Sequence, residues 1–548
     1  MPKLLTFIVL LFAASLVHAQ TNTGQIRGTI RDSTGAVIPD CAITVTNTAN
    51  KIKYDLVTDH SGQFQFPSLP VGEYALKAWA NGFKQLSKRG IDLHLGQVID
   101  LNLELAIGEL SAVANITTAD GLLSTATGEV SEVIDKKRVA ELPLNGRQFL
   151  QLALLSEGVV RPPGGTRGAA LQQAGELVNV AGQRSGHNIY LVDGVKVTDE
   201  YFNNLVISPS VDSIQEFRIQ KTLYAAEFGG KASALINVAT KSGTRGFHGN
   251  AFEFMRNAKL DARNFFDDPN QPIPPFKQNQ FGATLGGPIS FGNAEPKTFF
   301  FGSYEGQRIR QTLTKTFSVP TAAMRAGDLS AFPQIFDPLT TDGSGNRAPL
   351  VGNRISPGRL NPVALALLAK IPLPNLPGIS RNLLSTEEER TNVDSYSIRI
   401  DHQATSKDTI FGRFSAFNAR AFQPFGSGKL NEALLPGFGR TLTTKAVNVG
   451  VSYTHFFTPN FLNEARFGFL HVTGGQASQN QGVDFAPMVG LQGVTTNPAD
   501  VGFPQVSLAG LFSNIGDPTA FVTRRDTSFE FYDNVFVNRG AHKFKFGV

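Results

Sequence analysis

Cysteine occurs once in this chain of 548 residues, as Cys41. An internal disulfide is therefore ruled out, and no neighbouring His or Cys supplies metal-ligand spacing, so Cys41 reads as a small buried apolar side chain. Tryptophan occurs once and methionine four times. Beyond the N-terminal segment there is no run of about 18 apolar residues, which rules out a helical membrane protein. That test says nothing of a β-barrel, whose alternating strands average to a hydropathy near the observed mean of -0.08. Lys and Arg number 50 against 45 Asp and Glu, a net charge of +5. They are scattered along the chain without a cluster able to follow a phosphate backbone, which argues against a nucleic-acid partner. Neither G-x-S-x-G nor H-E-x-x-H occurs, and the nine His are dispersed. A hydrolase would need a nucleophile with its base or a paired acid, so the sequence points away from an enzyme and implies no cofactor and no metal.

What is abundant is the vocabulary of strands and turns, with 54 Gly and 43 Phe. The length suggests about three or four domains. At the N-terminus Lys3 precedes "LLTFIVLLFAASLV" and then "VHAQ", with small residues at Val17 and Ala19, so residues 1–19 read as a cleavable secretory signal. From 22 to 105 short strands alternate with turns, as in "GTIRDSTGAVIPDCAITV" and "TDHSGQFQFPSLPVGEYAL", where Ser61-Gly62 and Pro70-Val71-Gly72 punctuate. This spacing fits a β-sandwich. The two phrases resemble the carboxypeptidase regulatory-like domain, a carbohydrate-binding-like sandwich that is not a protease.

A polar connector follows over 106–116, and its stretch Leu110-Ser111-Ala112-Val113 could add as a strand to a partner's sheet. The period then changes. "DKKRVAELPLNGRQFLQLALLSEGV" predicts two helical stretches, Asp135 to Glu141 and Gly146 to Leu155, with Phe149, Leu150, Leu152, Ala153 and Leu154 supplying a packing face. "NIYLVDGVKVTD" predicts a hairpin, because Asp193-Gly194 suits a type I′ turn; a catalytic role for Asp193 is the competing reading. Two further strands separated by a Gly229-Gly230 break complete a small α/β unit of about 120 residues.

The phrases "ELPLNGRQFLQLALLSEGV", "AGQRSGHNIYLVDGV", "VDSIQEF" and "YAAEFGGKASALINVATKSGTRGFHGNAFEFMRN" together resemble the plug and plug-to-barrel junction of TonB-dependent outer-membrane receptors, closest to the Oar-like subgroup in which a regulatory-like sandwich precedes the plug. The resemblance implies a plug over 117–243, a plug-barrel hinge at Thr240, Lys241, Ser242, Gly243 and Thr244, and a barrel from 244 onward. It also implies contact of TonB, the inner-membrane energising partner, with Leu110, Ser111, Ala112 and Val113, an outer-membrane lipid surround, and an extracellular ligand such as an oligosaccharide, peptide or metal chelate. The sandwich leans toward a glycan.

Strand patterning supports the barrel without the family. Val447, Val449, Val451 and Tyr453 alternate with Asn448, Ser452 and Thr454; Tyr396, Ile398 and Ile400 alternate with Ser397, Arg399 and Asp401; Ala465, Phe467 and Phe469 alternate with Glu464, Arg466 and Gly468. About nine such strands follow residue 245, with a long excursion from about Val319 to Asn392 that holds one helix at "NPVALALLAK" and a turn at "DPLTTDGSGN". A soluble sandwich would show the same alternation, with a protein core in place of lipid. The expected fold is mainly β: an N-terminal β-sandwich, a small α/β plug, then an incomplete antiparallel transmembrane β-barrel. It is read as incomplete because barrels that hold a plug need roughly 22 strands. The expected function is TonB-dependent uptake, with adhesion or export through a barrel anchor as the alternative.

Overall fold

The computed structural model describes residues 23–108, 113–117, 129–162, 177–200, 203–224, 227–263, 265, 270, 272–290, 295–425, 435–458, 460–508, 510–517, 522–539 and 542–548. The expected signal over 1–19 and the residues Leu110, Ser111 and Ala112 lie outside this set.

Two sheets face each other at the N-terminal end. Their strands are β1 (Gly24–Asp32), β2 (Ala42–Asn47), β3 (Lys53–Val57), β4 (Gln63–Leu69), β5 (Gly72–Trp79), β6 (Gln85–Leu93), β7 (Val98–Leu105) and β8 (Val113–Thr117). One sheet has the order β4-β1-β7 and the other β3-β2-β5-β6-β8. Alternate residues such as Ile43, Val45, Tyr74, Leu76 and Ala78 point between the sheets and are buried. Cys41 is buried in the same core, and burial pushes its thiol up to about 11, which leaves it unreactive at neutral pH. Part of the stretch expected as a linker forms structure: β8 lies parallel to β6, with Val113 opposite Gln85 and Thr117 opposite Arg89.

The middle unit contains β9 (Val130–Ile134), β10 (Val159–Val160), β11 (Asn179–Val180), β12 (Ile189–Val192), β13 (Val195–Lys196), β14 (Ile214–Thr222) and β15 (Leu235–Thr240). Its main sheet runs β13-β12-β15-β14-β9. The first predicted helix is present as Lys136–Glu141, where the Asp135 carboxylate caps the N-terminus by accepting from the Arg138 backbone N–H at 2.9 Å. The second is made of 3₁₀ turns, Asn145–Arg147 and Phe149–Leu155. Gly146 and Arg147 take φ of 66° and 54°, and a left-handed pair cannot continue an α-helix. The apolar face serves its predicted purpose all the same, with Phe149, Leu150, Leu152 and Ala153 buried.

The remaining strands are β16 (His248–Asn257), β17 (Phe276–Ile289), β18 (Thr298–Phe317), β19 (Leu383–Gln403), β20 (Asp408–Gln423), β21 (Arg440–Thr458), β22 (Phe461–Ser478), β23 (Val522–Arg539) and β24 (His542–Gly547). They form one nine-stranded sheet in which every strand pairs antiparallel with its sequence neighbour. Short connections, such as residues 404–407 and 459–460, alternate with long ones over 258–275, 318–382, 424–439 and 479–521. The long connections pack on one another through Phe317, Val319, Leu367, Phe425, Phe438 and Phe503. Within the excursion 318–382, the helix Pro362–Leu368 starts on Asn361 with Pro at its first turn, Asp337 is gripped by both Arg359 terminal nitrogens at 2.7 and 2.8 Å, and the Asp342 carboxylate accepts from the Ser344 and Asn346 backbone N–H groups at 2.9 Å, which makes "DPLTTDGSGN" a turn. β19 begins about ten residues earlier than the alternation predicted. Its first ten residues, "LLSTEEERTN", carry charge on both faces, with Glu387 and Glu389 on one and Glu388 and Arg390 on the other.

The sheet is inverted relative to a soluble protein. Tyr396, Ile398 and Ile400 on β19 are 47, 54 and 43 % exposed, and Phe529 and Phe531 on β23 are 61 and 73 % exposed, whereas Asn448, Arg413, Glu464 and Arg466 are buried. Apolar side chains thus face outward and polar ones are covered by the middle unit, which removes the soluble-sandwich alternative. Among the described residues no helix is long and apolar enough to cross a membrane. A cation placed at the centre of this apolar belt should be costly. Val449→Arg is expected to destabilise the membrane-inserted full-length protein by about 2–4 kcal/mol, measured by reversible unfolding from lipid vesicles. The substitution Asn448→Ala, on the covered face, should leave insertion intact.

A polar seam between the middle unit and the wall

The middle unit touches all nine wall strands. Asn250 on β16 donates to Asp212 at 2.9 Å, Gln280 on β17 to the Gly146 carbonyl at 3.2 Å, and Ser210 to Glu305 on β18 at 2.5 Å. Lys545 on β24 pairs with Glu227 at 2.8 Å. The other five strands converge on one hairpin.

That hairpin is β12–β13, and its turn is the predicted type I′: Asp193 and Gly194 both take positive φ, 49° and 76°. The turn reading therefore holds, and the same residue does something more. Asp193 is 1 % exposed, and its carboxylate is enclosed by cations and donors. One oxygen accepts from Arg399 Nη1 on β19 at 3.0 Å and from the Thr240 backbone N–H at 2.9 Å; the other accepts from the Thr240 hydroxyl at 2.7 Å and lies 3.0 Å from Arg413 Nε on β20. Arg413 also donates to the Val192 carbonyl at 3.0 Å and to Asn448 on β21 at 2.6 Å. Arg466 on β22 donates to the Gly194 carbonyl at 3.2 Å while paired with Glu464 at 2.6 Å. On β23, Glu530 accepts from the Lys196 backbone at 3.1 Å, Asp526 from the Glu200 backbone at 2.7 Å, and Arg524 pairs with Asp199 at 3.1 Å. Val195 fills the space left by two wall glycines: a Cβ on Gly450 or Gly468 would come within 3.0 or 2.7 Å of its methyls.

The predicted hinge residues connect this hairpin to the wall. Thr240 ends β15 against Asp193; Lys241 donates through its backbone to Ser213 at 2.8 Å and through Nζ to the Asp212 carbonyl at 2.6 Å; the Ser242 hydroxyl donates to Asp401 on β19 at 2.6 Å. Gly243 passes so close to β17 and β18 that a Cβ would stand 2.4 Å from the Phe300 carbonyl and 2.6 Å from that of Gly287. Only glycine fits there. Thr244 donates to the Gly246 carbonyl at 2.8 Å. The segment is pinned on one side, while on the other a cavity of about 650 Å³ separates it from the sandwich loop Asn47–Asn50. Of the residues expected to meet TonB, Val113 opens β8 on the sandwich edge.

Two residues of β14, Glu216 and Arg218, bind the sandwich to the middle unit. Glu216 on β14 accepts from the Leu95 backbone and lies 2.8 Å from His94 Nδ1, and Arg218 donates to the Leu95 carbonyl at 2.6 Å. Burial opposes charge on His94, but the Glu216 carboxylate, with Asp92 and Asp135 further off, outweighs it and raises the imidazole pKa. The sandwich core also takes in Phe299 of β18, fully buried.

Sequence patterning had marked Arg399, Asp401, Glu464 and Arg466 as polar-face residues, and all four sit in the seam. It missed Arg413, Arg524, Asp526 and Glu530. The signal that finds them is parity: each falls on the covered face of a strand whose alternate positions are apolar.

Strands long enough to cross a bilayer, apolar outward and polar inward, define the wall of an outer-membrane β-barrel. More than half of the chain, residues 239–548, matches the family described as outer membrane beta barrel domain, and the chain belongs to that family. Residues 25–106 match the carboxypeptidase regulatory-like domain. The TonB-dependent transporter Oar of Myxococcus xanthus is 29% identical over 332 residues, which cover 58% of this chain and 29% of that protein. The chain thus spans less than a third of the length of that relative. Among solved structures, the outer membrane transporter YddB from Escherichia coli aligns with a TM-score of 0.45 and 10% identity over 76% of this chain and 47% of its own. The siderophore receptor PirA from Acinetobacter baumannii aligns with a TM-score of 0.42 and 13% identity over 76% and 47%.

Removing Asp193 leaves two buried guanidinium groups facing each other without their shared anion. Asp193→Ala is expected to weaken the seating of the middle unit by about 3–5 kcal/mol, read as faster backbone hydrogen exchange over 189–197 in the full-length protein with wall strands unchanged. Docking of the sandwich should depend on pH. Because the pKa of His94 is raised when docked, its contribution is complete below the free-imidazole pKa of about 6.5 and is lost as pH rises through the docked value. Cross-linking between sandwich and middle unit should fall from pH 6 to pH 8, and His94→Gln should flatten that profile.

Proposed function

We propose that the chain is the gated portion of a TonB-dependent outer-membrane transporter, with residues 117–243 as its plug, 22–105 as a periplasmic sandwich and 244–548 as barrel wall. The observation that carries this reading is the polar seam: the hairpin from Val192 to Glu200 is held to five successive strands by hydrogen bonds and ion pairs. Rehydration of the separated ions and donors offsets most of what these buried contacts contribute, so a plug seated this way is firm at rest yet able to leave. An apolar seat of the same area would resist rehydration far more. The name of the Myxococcus relative and the order of sandwich, middle unit and wall support the same reading.

In this mechanism a ligand, an oligosaccharide, peptide or metal chelate, binds among the long connections at the extracellular end. TonB pairs with the segment at Leu110, Ser111, Ala112 and Val113 by strand addition and pulls. Tension reaches β9, the edge strand of the plug sheet, and the Asp193 hairpin loses its wall contacts while the Thr240–Thr244 hinge keeps the plug tethered. No bond in the ligand is made or broken. The test is growth and uptake on a panel of glycans, peptides and metal chelates with the full-length gene present or deleted, repeated after TonB depletion. Gene-dependent uptake that stops on TonB depletion is expected; uptake that continues without TonB would overturn the coupling mechanism.

A further inference from the structure

Strand register assembles on the outward face of the wall a basic band that the linear sequence conceals. On β18 the outward residues run Tyr304, Gly306, Arg308, Arg310 toward the long connections; on β19 they run Ile398, Tyr396, Asp394, Asn392, Arg390; on β20, Phe414, Ala416, Asn418, Arg420. Each strand passes from apolar belt to cation in the same direction. Pairing places Lys277 of β17 opposite Arg310, and Arg310 opposite Arg390, three cations abreast in one cross-strand row. Like charges directly opposed destabilise a sheet unless an anion lies over them. Nearer the belt, Arg308 and Arg420 flank Asn392, and Lys445 and Arg525 flank Thr473.

Carboxylates answer only part of this charge. Asp394 pairs with Arg308 at 2.7 Å and Glu388 with Arg390 at 2.6 Å. Among the described residues none pairs with Lys277, Arg310, Arg420, Lys445 or Arg525, and the last three are exposed. Immediately below the band lie the rings of Phe281, Tyr304 and Tyr396, with Tyr304 and Tyr396 4.9 Å apart and the Arg308 guanidinium over Phe281. The long connections mark this as the extracellular end of a barrel. Cations at the height where an apolar belt ends meet the headgroups of the surrounding leaflet, and arginine forks match phosphate oxygens in pairs.

We propose that this band binds the phosphorylated headgroups of outer-leaflet lipid, whose acyl chains lie along the apolar belt beneath. The lipid's phosphates supply the anion that Lys277 and Arg310 lack, since Arg390 has Glu388. The test uses the full-length protein in detergent, titrated with glycolipid extracted from Gram-negative outer membranes before and after phosphatase treatment, with retention read by native mass spectrometry. A preference of about tenfold or more for the phosphorylated form is expected, lost at high salt and in the variant R310Q/R390Q/R420Q/K445Q. Equal retention of the two lipids by the unaltered protein would overturn the proposal whether or not the variant folds. So would full displacement by inorganic phosphate at matched concentration, which would make the site one for a free anion.

Discussion

A backbone amide inside hydrocarbon finds a partner only on a neighbouring strand, and the architecture follows from that constraint. Nine consecutive strands pair each with the next, because any strand that skipped its neighbour would leave a row of donors and acceptors bare. Pairing of this kind turns one face of the sheet to lipid and the other inward. The inward face then carries the polar alternates of every strand, including Arg399, Arg413, Arg466 and Glu530, and these need partners as well. The middle unit provides them through a hairpin whose backbone carbonyls and Asp193 carboxylate are complementary to the wall's cations. A domain with a greasy outer surface would leave those guanidinium groups unanswered.

The connection from β15 to β16 meets a related difficulty. A strand that ends in the lumen, β15, must hand the chain to one that faces lipid, β16, across the seven residues 241–247. The crossing is made by squeezing Gly243 against the backbones of β17 and β18 and by tying Ser242 and Thr240 to charged residues of β19 and of the hairpin. The same few residues therefore join the two units covalently and brace the Asp193 contacts, so that the hairpin and this connection act as one fixture.

How far the sequence alone could be read depended on whether neighbouring residues or distant ones made the decision. Alternation over β19, β21 and β22 is local and told lumen from lipid at every quoted position, and Asp193-Gly194 announced its turn through the φ values that only such a pair accepts readily. The 3₁₀ form of Phe149–Leu155 was not legible, since an apolar face at helical spacing does not reveal that Gly146 and Arg147 go left-handed just before it. The strand β8 was hidden because its partner β6 lies some thirty residues upstream. The first ten residues of β19 were taken for loop since their charges suit water on both faces. Arg413 and Glu530 could be listed as inward, but not matched to Asp193 or Lys196, because those pairings span more than 200 residues of chain.

The packing of Phe299 into the sandwich core ties the sandwich to the wall as well as to the middle unit. If release of the middle unit and undocking of the sandwich were independent, the fraction with both free would be the product of two small probabilities. Because Glu216 of the middle-unit sheet holds the sandwich through His94 and Leu95, the two events are coupled. Work done on one lowers the barrier to the other.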